Sequence, residues 1–279
     1  MADSPSVILR RHGLRPKKAW GQNFLGDDHH LGAIAEACRI GADDTVVELG
    51  AGLGHLTRHL AATGARVVAV ERDRDLVPIL RADLEPLRNV EVREENAATI
   101  DLAALAAETG RKLVVVGNLP YHLSTEILFH VESQRDSVSR MVFLLQREVT
   151  ERIAARPGGK EYGVLSVLLQ LHADVDVPHR VPAGVFTPPP EVESAVVRLE
   201  LREAPRADPG DEELFRRVVK GAFAQRRKTL VNSLRGGRIA SPEILAAALE
   251  RSGIDGGRRA ETLAVEELAA LARAIAQAG

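Results

Sequence analysis

The chain has 279 residues, of which 45% are hydrophobic and 27% charged, and its formal net charge is −2. That length holds one large domain, or one domain and a small appendage, around an ordinary globular core. The near-balance of charge excludes a nucleic-acid role argued from the total, which leaves only local patches, and no apolar run reaches the roughly 18 residues that a membrane-spanning helix needs.

Residues 1–16, broken by Pro5 and Pro16, read as a flexible N-terminus. Arg10, Arg11, Arg15, Lys17 and Lys18 interrupt the apolar core of a secretory signal, so the chain is expected in the cytoplasm. Residues 17–25 (KKAWGQNFL) mix two bases, a flat ring, two amides and two apolar anchors. This stretch is either a flap that closes on a cofactor or a plain lead-in to the core. Asp27 or Asp28 caps a helix to about Arg39, with Leu31, Ile34, Ala35 and Cys38 on one face. Cys38 is the sole cysteine, so neither an internal disulfide nor a thiolate metal cluster can form, and no metal site is expected.

Residues 45–146 alternate strand and helix, with strands at 45–50, 66–71, 90–94, 112–117 and 138–145 and helices at 54–63, 73–84 and 124–133. The alternation predicts an α/β fold, a Rossmann-like doubly wound sheet with a ligand at the strand carboxyl ends. Val46-Val47-Glu48-Leu49-Gly50-Ala51-Gly52-Leu53-Gly54 reads as a buried strand entering a glycine turn that opens a helix, whose free N–H groups suit a nucleotide-like ligand. His55 stands where G-x-G-x-x-G needs its third glycine, which weakens a dinucleotide reading, and no P-loop pattern exists. Glu71 ends the second strand about twenty residues past the turn, where a carboxylate accepts from ribose hydroxyls. S-adenosylmethionine, with a ribose and an adenine but no pyrophosphate, fits best.

After the third strand, Asn96, with Glu95 in reserve, is either an acceptor for the cofactor's adenine amine or a turn asparagine. The fourth strand runs into Asn118-Leu119-Pro120-Tyr121. The proline stiffens that turn and pushes Leu119 out of helical angles. An amide, a main-chain carbonyl and an aromatic ring are thereby fixed together. The set suits an exocyclic amine: Asn118 Oδ1 and a main-chain carbonyl accept its hydrogens while Tyr121 stacks on the ring.

Residues 147–156 read as a charged helix, 157–160 as a turn, 166–172 as a continued apolar pattern, 181–190 as a rigid extended loop and 193–201 as a strand. Phe186, taken alone, is first a core ring and second the opposing face of a base sandwich. Residues 202–210 look like a linker, and helices follow at 211–223, 227–235, 242–252 and 265–277. Between Leu214 and Pro242 stand Arg216, Arg217, Lys220, Arg226, Arg227, Lys228, Arg235 and Arg238 without a single acid, a footprint for nucleic-acid phosphates.

In their order, G-Q-N-F-L (21–25), E-L-G-A-G-L-G-H-L-T (48–57), Glu71, N-L-P-Y (118–121), E-Y-G-V-L-S-V (161–167), V-F-T-P-P-P-E-V-E-S-A-V (185–196) and F-A-Q-R-R-K-T-L (223–230) resemble the KsgA/RsmA-type ribosomal RNA small-subunit adenine N6,N6-dimethyltransferase family. The resemblance covers nearly everything from Lys17 to the C-terminus. It implies an S-adenosylmethionine-dependent methyltransferase domain over 1–203 and a smaller all-helical RNA-binding domain over 204–279. It also implies N6,N6-dimethylation of two adjacent adenines near the 3′ end of 16S ribosomal RNA, in a 30S precursor, by a monomer. By the same resemblance Asn23 and Leu25 contact the cofactor, Gly50 lies against its amino-acid moiety, Glu71 holds the ribose and Asn96 the adenine. Asn118 and Leu119 meet the target amine, with Asn118 also at the cofactor, and Tyr121 and Phe186 sandwich the flipped base. Arg147, Arg226, Arg227 and Lys228 are the candidates to meet RNA. The family usually has Asp where this chain has Asn96; a neutral acceptor is weaker, so weaker cofactor affinity is expected. Two rivals stand: a 23S adenine dimethyltransferase of the macrolide-resistance type, and an RNA-binding assembly factor whose catalysis is dispensable. Q-R-R-K-T-L and the C-terminal helices favour the small-subunit reading.

Overall fold

The computed structural model describes residues 3–279. It opens on helix α1 (Pro5–Arg11), a single 3-10 turn at Lys18–Trp20 and a two-residue strand β1 (Phe24–Leu25). Residues 5–11 of the expected flexible stretch 1–16 are therefore helical despite their proline, while residues 1–2 lie outside the described residues. Pro5 sits in the first helical turn, where its missing N–H has no partner to lose. Ile8 and Leu9 are buried against Phe24, Leu53 and Leu76. Helix α2 (Asp28–Ala37) follows, capped by Asp27, whose side chain accepts from the His30 amide.

Strands and helices then alternate: β2 (Thr45–Leu49), α3 (His55–Ala61), β3 (Arg66–Glu71), α4 (Val77–Leu84), β4 (Val90–Glu94), α5 (Leu102–Thr109), β5 (Leu113–Asn118), α6 (Ser124–Ser133) and β6 (Val138–Gln146). Strand β2 is buried throughout, and β3 and β5 at all but one position each. Such runs belong to strands covered on both faces. The periodicity does not reveal α5, an alanine-rich helix marked by its cap Asp101 and by Gly110 in the left-handed region at its end. Beyond β6 come α7 (Arg147–Ala154), α8 (Val164–His172), β7 (Ala173–Val181), β8 (Phe186–Thr187) and β9 (Ser194–Leu201). The chain closes with α9 (Glu212–Phe223), α10 (Leu230–Gly236), α11 (Pro242–Ser252) and α12 (Val265–Ala278).

The main sheet has seven strands in the order β4-β3-β2-β5-β6-β9-β7. Strands β2 to β6 pair in parallel, and β9 runs antiparallel to β6. The winding reverses between β2 and β5, and the crevice beyond the carboxyl ends of two such strands is where doubly wound sheets hold ligands. Gly117 permits that crevice to be tight. A Cβ there would stand 2.5 Å from the Leu49 carbonyl oxygen. Strand β7 lies at the sheet edge, mostly exposed and interrupted by Pro178, which hides its strand character from a sequence reading. Strands β1 and β8 form a separate antiparallel pair that sets Leu25 opposite Phe186.

Two compact units partition the chain: one runs to Thr150 and resumes at Asp176–Leu201, the other comprises Glu151–Val175 and Arg202–Gly279. This differs from a single cut at 203/204, because residues 151–175 go with the C-terminal helices. The Gly158 amide donates to the Glu261 carbonyl at 2.7 Å, and the Tyr162 ring meets Phe223 edge-on with centroids 6.0 Å apart. Neither contact is visible along the chain. Among the described residues no helix is long and apolar enough to cross a membrane.

Candidate active site

The glycine turn after β2 is built into the sheet by its own backbone. The Gly50 and Ala51 amides both donate to the Val70 carbonyl, at 2.8 and 3.0 Å. Gly52 takes φ +58°, and a Cβ on it would stand 3.2 Å from the Phe24 ring, so glycine answers both a conformational and a steric demand. Its amide donates to Glu71 Oε2 at 2.8 Å, while the Arg72 and Asp73 amides donate to Oε1, each at 2.8 Å. A carboxylate has about four acceptor sites, so three amides leave one for a ribose hydroxyl. Burial raises the Glu71 pKa and those three amides oppose it.

One cavity is lined by the flap at 20–25, the turn at 48–53, Glu71 and Arg72, the loop at 95–97 and the turn at 118–121. Asn23, Leu25, Gly50, Glu71, Asn96, Asn118, Leu119 and Tyr121 are thus brought together. Asn118 Nδ2 donates to the Asn23 carbonyl at 2.9 Å, which fixes the amide and leaves Oδ1 as an acceptor. Tyr121 is held by its hydroxyl, 2.7 Å from Ser194 Oγ, and its main-chain carbonyl accepts from Ser124 Oγ at 2.9 Å. Burial raises its pKa against the Ser194 hydrogen bond, so the ring is a neutral phenol. Asn96 serves both of its readings: it lines the cavity, and its Oδ1 also accepts from the Ala98 amide at 3.1 Å, which turns the loop.

Phe186 departs from the expected base sandwich. It is 3% exposed, packs with Leu25, Leu31, Ile34, Val116 and Leu144, and is not among the residues lining the cavity. It pairs with Leu25 across the β1–β8 ladder and lies in the core next to the strand that leads into the cavity.

Two acids that local motif reading overlooks complete the site. Glu48 is 2% exposed, lines the cavity and accepts from Thr57 Oγ1 at 2.5 Å; burial pushes its pKa up to about 8. Asp73 latches the flap. Lys17 Nζ donates to its Oδ1 at 2.6 Å and Gln22 Nε2 to its Oδ2 at 2.7 Å, while the Lys17 amide donates to Gln22 Oε1 at 2.9 Å. Burial pushes the Asp73 pKa up, but the hydrogen bonds from Lys17, the Asp75 amide and Gln22 outweigh it and hold the carboxyl below its ordinary range. Above the latch, Lys17 Nζ and the Arg72 guanidinium lie 4.8 and 4.5 Å from the centroid of the Trp20 ring. The basic stretch 17–25 signals a flap but not the acid it closes on.

The basic candidates lie elsewhere. Arg147 opens α7 and pairs with Glu193 at 2.8 Å. Arg226, Arg227 and Lys228 are exposed in the turn between α9 and α10 rather than on a helix, since Thr229 occupies the N-cap position of α10. Arg226 donates to the Lys160 carbonyl and stands 3.5 Å from Glu261.

A family model described as "Ribosomal RNA adenine dimethylase" matches residues 13–277. The chain is 56% identical over 274 residues to Ribosomal RNA small subunit methyltransferase A of Myxococcus xanthus (strain DK1622), covering 98% of this chain and 95% of that one. It is 53% identical over 281 residues to the protein of the same name from Anaeromyxobacter dehalogenans (strain 2CP-C), covering 98% of each. Among solved structures, the 23S rRNA methyltransferase ErmE aligns with a TM-score of 0.71 at 26% identity, over 91% of this chain and 100% of that one. A dimethyladenosine transferase from Plasmodium falciparum shares the fold, with a TM-score of 0.75 at 23% identity over 89% and 95% of the two chains.

Proposed function

The chain belongs to the ribosomal RNA adenine dimethylase family, and from that premise we propose that it converts two adjacent adenines near the 3′ end of 16S ribosomal RNA, within a 30S precursor, to N6,N6-dimethyladenosine. The methyl donor is S-adenosylmethionine. The observation that carries the reading is the Asn118 amide: the Asn23 carbonyl takes its Nδ2 hydrogen, which leaves Oδ1 to accept beside the glycine turn.

The donor supplies an electrophilic methyl group when bound. The residues present fit it, since the glycine turn leaves backbone surface open and Glu71 keeps an acceptor site for a ribose hydroxyl. Adenine N6 is a poor nucleophile because its lone pair is delocalised into the ring. Asn118 Oδ1 and the Leu119 carbonyl accept the two N6 hydrogens, which draws the nitrogen toward tetrahedral geometry and aims its lone pair. Positive charge that develops on the nitrogen is offset by those acceptors and by the face of the Tyr121 ring. The Ser194 hydrogen bond presets that ring before the base arrives. A base reaches such a turn only by leaving its stack, so base flipping is part of the cycle. The methylated nitrogen releases one proton to solvent as the C–S bond of the donor breaks, so for the second transfer the monomethylated amine has one hydrogen left, and one of the two acceptors suffices to orient it.

Identity to small-subunit relatives at 56% and 53%, against 26% to the 23S enzyme, supports the small-subunit substrate over the large-subunit one. The test is methyl incorporation from labelled S-adenosylmethionine into small-subunit particles of a strain lacking the endogenous enzyme, with the modified positions mapped. Two adjacent dimethylated adenines near the 3′ end are expected. A single modified adenine in 23S RNA, or particles bound but never methylated, overturns the reading.

A further inference from the structure

Three imidazoles meet away from the cavity. His29 and His30 occupy the first turn of α2, His179 lies on β7, and none of them lines the cofactor cavity. Each offers one ring nitrogen, and these nitrogens all lie within 4.8 Å of one another. The closest two, His30 Nδ1 and His179 Nε2, are 2.7 Å apart. The rings are not stacked: centroids stand 5.1, 5.8 and 5.0 Å apart at interplanar angles of 61°, 73° and 51°. Adjacent helix residues ordinarily point to different sides, so the approach of His29 and His30 to one edge-strand histidine is not a default of packing.

The chemistry of this group is that of a transition-metal site. Imidazole nitrogens bound at about 2.0–2.1 Å in a tetrahedron stand about 3.3 Å from each other. The observed separations, from 2.7 Å to within 4.8 Å, bracket that spacing, and small side-chain rotations reach it. His29 is exposed and the other two are half-buried, which gives an ion an entry path and leaves a fourth position to water. Acids stand at the same helix end: Asp27 caps the His30 amide, and Asp28 Oδ1 lies 3.2 Å from His59 Nε2.

We propose that His29, His30 and His179 together bind one divalent transition-metal ion of the class that prefers imidazole, such as Zn²⁺, and that this ion clips α2 to the edge strand β7. The clip has a consequence for the flap. Helix α2 supplies Leu31 and Ile34 to the cavity wall, and β7 leads into β8, the partner of the flap strand β1. The ion steadies both supports of the segment that closes the site.

The experiment uses the full-length chain with any affinity tag removed and chelator dialysed away. Zn²⁺ is titrated calorimetrically, Co²⁺ is added while visible d–d absorption is followed, and thermal unfolding is recorded with and without Zn²⁺. One ion per chain, the bands of a four-coordinate Co²⁺ centre with nitrogen ligands and a Zn²⁺-dependent rise in Tm are expected. His179→Ala weakens Zn²⁺ binding at least about tenfold and removes the Tm rise, whereas His12→Ala, an exposed histidine elsewhere, leaves both unchanged. Should His179→Ala fail to fold, His29→Ala, at the most exposed of the three, carries the same comparison. Equal Zn²⁺ affinity in wild type and the folded variant, or a Tm that ignores Zn²⁺, leaves three clustered imidazoles, two of them hydrogen-bonded to each other, with no metal and overturns the proposal.

Discussion

The two walls of the cofactor cavity are made in opposite ways. The inner wall, from Glu48 through the glycine turn to Asn118, is backbone held by the buried strand β3: amides of the turn bond to the Val70 carbonyl and to the buried Glu71 carboxylate, and Gly117 lets β5 approach the Leu49 carbonyl. The outer wall, the flap at 17–25, hangs on side chains, chiefly Lys17 and Gln22 on Asp73, and its own Asn23 carbonyl on Asn118. Backbone pairing buried in a sheet opens only with the sheet, whereas a few part-buried side-chain bonds open one at a time. A ligand that enters and leaves each turnover needs one fixed wall and one that yields. On the proposed function, the difference gives recognition of the donor to the inner wall and its enclosure to the outer one.

Asn118 belongs to both walls, so its loss has the largest effect. Asn118→Ala removes the proposed acceptor for the target amine and the anchor of the flap carbonyl together. Turnover is expected to fall by about 10²–10³-fold, comparable to the loss of one preorganised hydrogen-bonding group in other active sites, while RNA affinity measured by filter binding changes little. Equal losses in both place the residue in RNA binding instead. Breaking the inner wall alone is the next largest step. In Gly117→Ala the new methyl meets a main-chain oxygen at 2.5 Å that no side-chain rotation relieves. A destabilisation of about 3 kcal/mol is expected in urea unfolding, near the top of the usual range for overpacking, together with lost donor binding.

Glu48 sharpens the comparison through pH. Its pKa rises on folding from the ordinary 4.5 to about 8 because burial disfavours the charged form. The folded state therefore holds the proton more tightly than the unfolded one. The contribution to stability is full below pH 4.5 and is lost as pH rises to about 8. Glu48→Gln cannot titrate, so its unfolding free energy should stay flat across that window while the wild type's falls as the pH rises. Loosening the outer wall costs less. Asp73→Asn removes the charge that holds Lys17, and S-adenosylmethionine affinity by calorimetry should fall about tenfold, the effect of one charge-assisted hydrogen bond, with urea stability nearly unchanged.

The same contrast governs what a reader of the sequence can see. The inner wall was legible because its parts are contiguous: the buried run Val46-Val47 ahead of three glycines, the acid at the end of Val67-Val68-Ala69-Val70, and Asn-Leu-Pro-Tyr closing a buried strand. The outer wall was legible as a segment but not as a latch, since Lys17 and Asp73 are 56 residues apart. Helix α1 hid behind Pro5, and β7 behind the exposed polar residues of an edge. Phe186 shows the limit of a motif. The motif supplies an aromatic residue at the right place in the chain, but its burial in a cluster with Leu25, Leu31 and Ile34, contacts between distant segments, is not legible there.

The smallest expected effect separates two jobs of one residue. Asn96 Oδ1 accepts from the Ala98 amide and its carbonyl accepts from the Thr99 amide at 3.0 Å, so the side chain shapes the loop as well as facing the cavity. Asn96→Asp keeps the turn and puts a charge on the acceptor, so S-adenosylmethionine should bind a few-fold more tightly, as a charged acceptor makes a stronger hydrogen bond than a neutral one. The gain is limited because Glu95 stands next to it and both line the same cavity. Asn96→Ala removes turn and acceptor together and should weaken binding beyond what Asn96→Asp gains. Tighter binding in the aspartate variant, with product inhibition by S-adenosylhomocysteine rising in proportion, places the contact on the adenine amine, which donor and product share. If the aspartate variant matches wild type and only the alanine variant binds poorly, the residue acts through the loop and the donor's adenine is held by another group on the inner wall.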